Sequence, residues 1–235
     1  MFRRTPSNHG LLTALLSVLT FAACSNASEQ PIVNQFFTAS RLRDNTSLNN
    51  FSMVEFDPGT EGIVMNFDIT GVGPESRTPL NVKTLAQALD DARAEDTAYS
   101  KRKDEFFGAN EEAVRRALKA ERENTKLKGK DAEVQAAWVK IREEGSQVSR
   151  KVGEARSKLA AENAVAQLSL ANLGKTPDLK KQDGELVTKE VTVSAPVKRP
   201  NGQTEQKTLL FTMRRVVLKG NPDITGRWII TAVKS

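Results

Sequence analysis

The 235 residues contain one cysteine, Cys24, and one histidine, His9. Both lie within the first 24 positions. A nucleophile of the Ser-His-Asp or Cys-His kind needs an imidazole beside the attacking atom. A structural or catalytic zinc needs several His or Cys ligands. Once residues 1–23 are removed, neither can be assembled from what remains. Carboxylate, lysine, serine and tyrosine chemistry are left, and no motif marks a site for them. There is no Gly-rich phosphate loop, no Ser-x-x-Lys and no Gly-x-Ser-x-Gly. Asp90-Asp91 and Glu143-Glu144 fall inside helical patterns and read as solvated faces. Asp57-Pro58-Gly59-Thr60-Glu61-Gly62 comes nearest to an oxygen-ligand calcium loop, but reads more simply as a hairpin turn. The expectation is a protein that is not an enzyme, with no metal and no cofactor.

Cys24 carries the clearest chemical signal. Arg3 and Arg4 precede a short apolar run, Leu11 to Thr20, which ends in Phe21-Ala22-Ala23-Cys24. A run of about 13 residues is too short to span a bilayer as a helix, which takes about 20. Its length and flanks are those of a cleaved signal peptide. An ordinary cleavage site leaves a lone thiol in an oxidising compartment, which is uncommon. Phe21-Ala22-Ala23-Cys24 resembles the lipobox of bacterial lipoproteins, although Phe21 stands where Leu is usual. The resemblance implies cleavage before Cys24 and a diacylglyceryl group on its sulfur. Ser25 follows in place of the retention signal Asp, which implies delivery to the outer membrane. Residues 24–30 are then a polar tether, and localisation is the cell envelope, lipid-anchored and facing the periplasm.

The chain that remains carries 33 basic and 29 acidic residues, a charge of +4. That is mild, and with an envelope location it argues against nucleic acid.

Behind the tether, Pro31 opens a helical pattern (Ile32, Phe36, Ala39, Leu42) suited to a first turn. A further helical turn from Asn45 holds Leu48 and Phe51. Residues 52–72 read as a β-hairpin: Met53 to Phe56, a turn at Asp57-Pro58-Gly59, then Ile63, Met65, Phe67 and Ile69 in period two. Gly71 to Pro79 reads as a loop. Residues 82–172 differ in kind, being rich in Ala, Glu, Lys and Arg with no proline. One stripe at helical spacing runs from Leu85 through Leu89, Ala92, Tyr99, Phe106, Ala113, Ala117 and Ala120 to Leu127, weakened as a seam by the polar positions Asp96, Lys103, Asn110 and Asn124. A cleaner one follows: Val134, Trp138, Ile141, Gly145, Val148, Val152, Ala155, Leu159. Lys128-Gly129-Lys130-Asp131 between them suits a reversal, with glycine ending one helix and Asp131 capping the next. The two arms then form an antiparallel helical hairpin. A break at Gly108-Ala109-Asn110 would lie opposite Lys151 to Gly153. A single long helix pairing with a second copy is the competing arrangement. The bend is basic: Arg115, Arg116, Lys119, Arg122, Lys126, Lys128 and Lys130 stand against Glu121 and Glu123. That is either a solvated tip or a contact for an anionic surface.

From Glu185 the period returns to two. Val187, Val191, Val193 and Val197 lead to Pro200-Asn201-Gly202, a strong hairpin signal. Leu209, Phe211 and Met213 continue to Leu218, and Trp228, Ile230 and Ala232 form a last strand. At least one of Arg214 and Arg215 faces outward or lies at an edge.

These parts predict an α+β fold. A curved antiparallel sheet of about five strands is covered by an N-terminal helix, and a long antiparallel helical hairpin, a coiled coil, is inserted into it. Residues 31–80 and 175–235 form the sheet domain and 82–172 the insertion. The helix, the hairpins and the closing strand Gly226-Arg227-Trp228-Ile229-Ile230 give the sheet domain a topological resemblance to cystatin-like and NTF2-like domains, which serve as pockets, enzymes or oligomerisation units. That breadth keeps the fold from being converted into a function. The reading is a lipid-anchored scaffold or interaction module meeting a protein partner, or a second copy, through the hairpin. The alternative is a small-molecule or lipid-binding module with a pocket between helix 31–50 and the sheet.

Overall fold

The computed structural model describes residues 28–174 and 177–235; the signal sequence and Cys24 lie outside them. Two helices open the fold, α1 (Gln30–Leu42) and α2 (Asn45–Leu48). Asp44 caps α2, its carboxylate accepting the Ser47 N–H at 3.0 Å. Two 15-residue strands form the spine of the sheet, β4 (Gly184–Lys198) and β5 (Thr204–Leu218), paired antiparallel without a break. The outer side of β4 carries three short strands in turn: β1 (Ile63–Val64), β2 (Asp68–Val72) and β3 (Ser76–Pro79). The outer side of β5 carries β6 (Ile224–Thr225) and β7 (Ile229–Lys234). Between β3 and β4 run α3 (Val82–Glu123) and α4 (Gly129–Leu170). The chain is thus an α+β fold with a curved antiparallel sheet, a helix on it and an inserted helix pair.

The expected hairpin at 52–72 does not form. Ser52 bridges Ile230 on β7, and the Met53 N–H donates to the Ile230 carbonyl at 2.9 Å. Ile63 and Val64 pair with Lys198 and Val197 on β4, at the opposite margin of the sheet. Residues 54–62 therefore cross from one margin to the other, with Phe56 buried in the core on the way. Asp57 to Thr60 do turn, the Asp57 carboxylate accepting the Gly59 N–H at 2.9 Å, but the turn joins no strands to each other. The period-two run also hides an irregularity. From Val64 to Asp68 the chain advances four residues while its partner β4 moves three, from Val197 to Ser194. Val64 and Ile69 can both point inward only because the extra residue is looped out, and Met65 is 63% exposed. The expected loop 71–79 contains the end of β2 and all of β3.

Alternate residues of a strand face opposite sides, and the two sides of this sheet are covered at different ends. One side presents Val191, Val193, Ala195 and Val197 of β4 and Leu209, Phe211 and Met213 of β5 to α1, where Val33, Phe36 and Phe37 meet them. Phe36 and Phe37 both pack edge-on to Phe211, at 5.4 and 5.6 Å between centroids. The other side presents Leu186, Val216, Leu218 and Ile229 to the base of the helix pair, where Leu80, Val82, Leu89, Val165, Ala166 and Leu170 cover it. Ser169 locks this joint. Its hydroxyl donates to the Arg227 carbonyl (2.8 Å) and accepts the Val216 N–H (2.9 Å). Gly226 lies so close that a side chain there would collide with the Ser169 backbone.

The helix pair is antiparallel and intramolecular over its first two-thirds. The Asn81 N–H donates to Glu162, Glu95 binds Lys151 at 2.8 Å, Arg102 meets Glu144, and Phe106 stacks on Trp138. Each step forward along α3 is a step back along α4. Tyr99 lies against Gly145, which has no side chain to push it away. At Asn110 the backbone leaves the helical region (φ −131°, ψ 20°), so the sequence break is where it was expected. The turn before it, Phe106 and Phe107, packs on Trp138, so the break does not lie opposite Lys151 to Gly153. The reason is that α3 does not run on alongside α4. Arg116 binds Asp131 and Glu121 accepts from Arg142. Partner numbers now rise with residue number, so the distal part of α3 lies across the first turns of α4. The reversal is also displaced. Asn124, in the left-handed region that asparagine tolerates, ends α3; its N–H reaches the Ala120 and Glu121 carbonyls. Gly129 (φ 57°) opens α4 instead of closing α3, and Asp131 sits inside its first turn.

Candidate functional site

The seven basic residues singled out in the sequence lie on the distal part of α3, on the connection after it and on the first turn of α4, and much of their charge is met there. Arg115 binds Glu111 at 2.7 Å, Arg116 binds Asp131 at 2.8 Å, and Lys119 lies 3.9 Å from Glu123. Two hydrogen bonds from Arg116 hold the Asp131 carboxyl below its usual range, and its charge adds to the effect. The guanidinium is pushed up in turn. Arg122 donates to the Leu118 carbonyl. Among the described residues, Arg122, Lys126, Lys128 and Lys130 meet no carboxylate. Over residues 111–133 seven bases face six acids, so the end is close to neutral overall. Its core is aromatic: Trp138 between Phe106 and Phe107, with Val114 and Val134.

The carboxylate pairs stay apart from any such cluster. Asp90, Asp91 and Glu143 are exposed on the helix pair, and Glu144 is taken up by Arg102. Among the described residues no group of three His, Cys, Asp or Glu side chains is placed to hold a metal ion. The Asp57 carboxyl lies below its usual range chiefly because the Gly59 N–H donates to it, so the would-be calcium loop is stabilised by its own turn.

Between α1 and the sheet, where a pocket was expected, the aromatic side chains fill the space. A concavity of about 310 Å³ remains at the C-terminal end of α1, lined by Ser40, Arg43, Asn45, Glu55 and Asp57 among others. The buried Ser40 hydroxyl finds no hydrogen-bond partner there.

The least expected cluster lies on the α1 side of the sheet, beyond the start of α1. Lys189 follows the parity of the buried valines of β4 and is buried with them. It binds Glu29, the residue before α1; the side chains are 7% and 6% exposed. Burial raises the Glu29 carboxyl, but hydrogen bonds from Lys189 and Ser28 and the lysine charge outweigh it, and the net direction is down. The Lys189 ammonium also lies 4.1 Å from the centre of the Trp228 ring, and the Arg215 guanidinium 4.5 Å from it. Arg215 continues to Glu75 (3.0 Å), Arg77 bridges Glu75 and Glu185, and Glu185 binds Lys219 at 2.8 Å. Hydrogen bonds from Lys219 and Arg77 keep the Glu185 carboxyl low. This network paves a part of the sheet that, among the described residues, carries no helix on that side. It draws on residues 29, 75, 77, 185, 189, 215, 219 and 228, too scattered to be seen as a cluster in the sequence. The available signal was phase: Lys189 and Arg215 each stand where the alternation calls for an apolar residue.

No known protein family, curated protein or solved structure matches this chain. Among the described residues no helix is long and apolar enough to cross a membrane.

Proposed function

We propose that the chain is a lipid-anchored protein of the cell envelope, held by a diacylglyceryl Cys24 at the outer membrane and facing the periplasm. It works without catalysis, as a scaffold that meets a protein partner, or a second copy of itself, through its helical arm. The observation that carries this reading is the build of the arm. Only the first turns of α3 and the last turns of α4 enter the sheet core, while the far end closes on an apolar cluster of its own. A 42-residue helix is about 63 Å long, so the arm holds its end well away from the sheet domain. Arg122, Lys126, Lys128 and Lys130 give that end unpaired cations for an acidic surface.

Photo-crosslinking in cells tests this, with a photoreactive residue at Arg122 or Lys128 and products read by mass spectrometry. A discrete protein adduct is expected. Self-adducts alone would identify the partner as a second copy. No adduct from either position would overturn the reading and shift attention to the Ser40 concavity as a small-molecule site. Native mass spectrometry of the purified protein would then be expected to show a bound ligand.

A further inference from the structure

The part of the sheet that no helix among the described residues covers on the α1 side is the part nearest the anchor. Four residues separate Cys24 from Glu29. At about 3.6 Å per residue the chain between them spans no more than about 18 Å. Glu29 is itself fixed by its ion pair with Lys189, beside Trp228 and Arg215. A lipid on Cys24 therefore brings the bilayer to this face. The charges are arranged to suit that. Arg77 and Lys219 are 51% and 50% exposed, whereas the carboxylates they bind, Glu75 and Glu185, are 36% and 27% exposed. The two most exposed side chains of the network are therefore basic, while Arg215, at 24%, lies deeper than Glu75. Trp228, half-buried under two cations, belongs to the residue type that settles at headgroup level. The base of the arm packs on the opposite side of the sheet, out of the way.

We propose that this face, with Arg77 and Lys219 exposed and Arg215 and Trp228 half-buried in it, rests on the anionic headgroups of the membrane in which Cys24 is anchored. The inference builds on the lipid-anchor reading and gives the anchored domain an orientation. The membrane lies on the side of the ionic network and the arm leaves from the other side. Basic residues at such a surface each contribute roughly fivefold to partitioning.

The test uses the mature chain with Cys24→Ser, so that only the protein surface can bind. It is floated with vesicles of phosphatidylcholine alone or with about 30 mol % phosphatidylglycerol, at low salt where the surface field is least screened. Binding to the anionic vesicles alone is expected, reduced at least about tenfold by Arg77→Glu with Lys219→Glu. Arg122→Glu with Lys128→Glu at the arm's end is expected to leave it unchanged. Arg77→Gln with Lys219→Gln keeps the test open if charge reversal disturbs folding, and an intermediate loss is expected. A second readout uses Trp138→Phe, which leaves Trp228 as the sole tryptophan; a spin-labelled headgroup is expected to quench it. Absence of binding, equal binding by the Arg77/Lys219 variants, loss through the arm's end instead, or an unquenched Trp228 would each overturn the proposal. The anchor is checked separately, by the mass of the Cys24 peptide from cells. An unlipidated Cys24 with intact vesicle binding would sink the anchor and leave the surface standing; the converse would do the reverse.

Discussion

At the scale of single residues the telling pair is Glu29 and Lys189, opposite charges almost wholly removed from water. Breaking a buried pair by deleting one partner costs about 3–5 kcal/mol, because the other charge is left stranded; replacing both with apolar groups can be neutral. Lys189→Met is therefore expected to lower the unfolding free energy by about that amount at pH 7, and Glu29→Leu with Lys189→Met to regain most of it. Denaturant titration measures both. The sign with pH follows from the lowered Glu29 carboxyl. Its contribution is complete above the ordinary value of about 4.5 and is lost as pH falls through the lower folded value. Wild-type protein is expected to lose stability below about pH 4.5 more steeply than Glu29→Gln. A parallel decline of the two proteins would mean that the pair contributes nothing to acid sensitivity. Lys189 was legible as a charge in a valine run. Its partner 160 residues earlier was not, because nothing in a one-dimensional pattern tells which element will cover a given strand position.

At the scale of elements, regular periods were readable and their interruptions were not. Every member of the stripe from Val134 to Leu159 is buried or half-buried, since one helix packs along its length against another. The β4–β5–β7 meander was equally plain, because strict alternation with an Asn-Gly turn admits few other structures. What failed was the hairpin at 52–72, whose two halves join opposite margins of the sheet, together with the looped-out residue between Val64 and Asp68 and the left-handed Asn124 that ends α3 before Gly129. Each costs little, and packing against a distant element decides it. The joint between arm and sheet is of the same kind, resting on the close approach of Gly226 to Ser169. Gly226→Ala is expected to displace the Ser169 backbone, disturb its two buried hydrogen bonds and destabilise the protein by about 2 kcal/mol or more. Gly153→Ala, on an open stretch of α4 with nothing near it, is expected to stabilise by about 0.5–1 kcal/mol through helix propensity alone. Thermal melts of the two variants shifting in the same direction would contradict the close-packing account of Gly226.

For the whole molecule, the base of the arm shares a core with the sheet and its far end has one of its own, while the two-helix stretch between them is held by the buried Val148, by Tyr99 on Gly145 and by surface ion pairs. Exposed pairs add little, about 0–1 kcal/mol each, so this stretch sets length more than stability. If length is its purpose, the molecule can be shortened at a modest cost in stability. Deleting 93–99 with 145–151 removes Glu95 together with Lys151 and Tyr99 together with Gly145, which preserves the facing of what remains. Seven residues take about 10 Å from each helix. The unfolding free energy is expected to fall by no more than about 3 kcal/mol, the contribution of the buried Val148 that goes with 145–151, since neither terminal core is touched. Vesicle binding is expected to be unchanged, because the network from Glu29 to Lys219 lies on the other side of the sheet. The adduct formed from Arg122 or Lys128 is expected to fade, since a partner fixed at its own height above the membrane is then out of reach. An undiminished adduct from the shortened arm would show that the partner comes to the tip, and that the arm serves as a handle whose length carries no information.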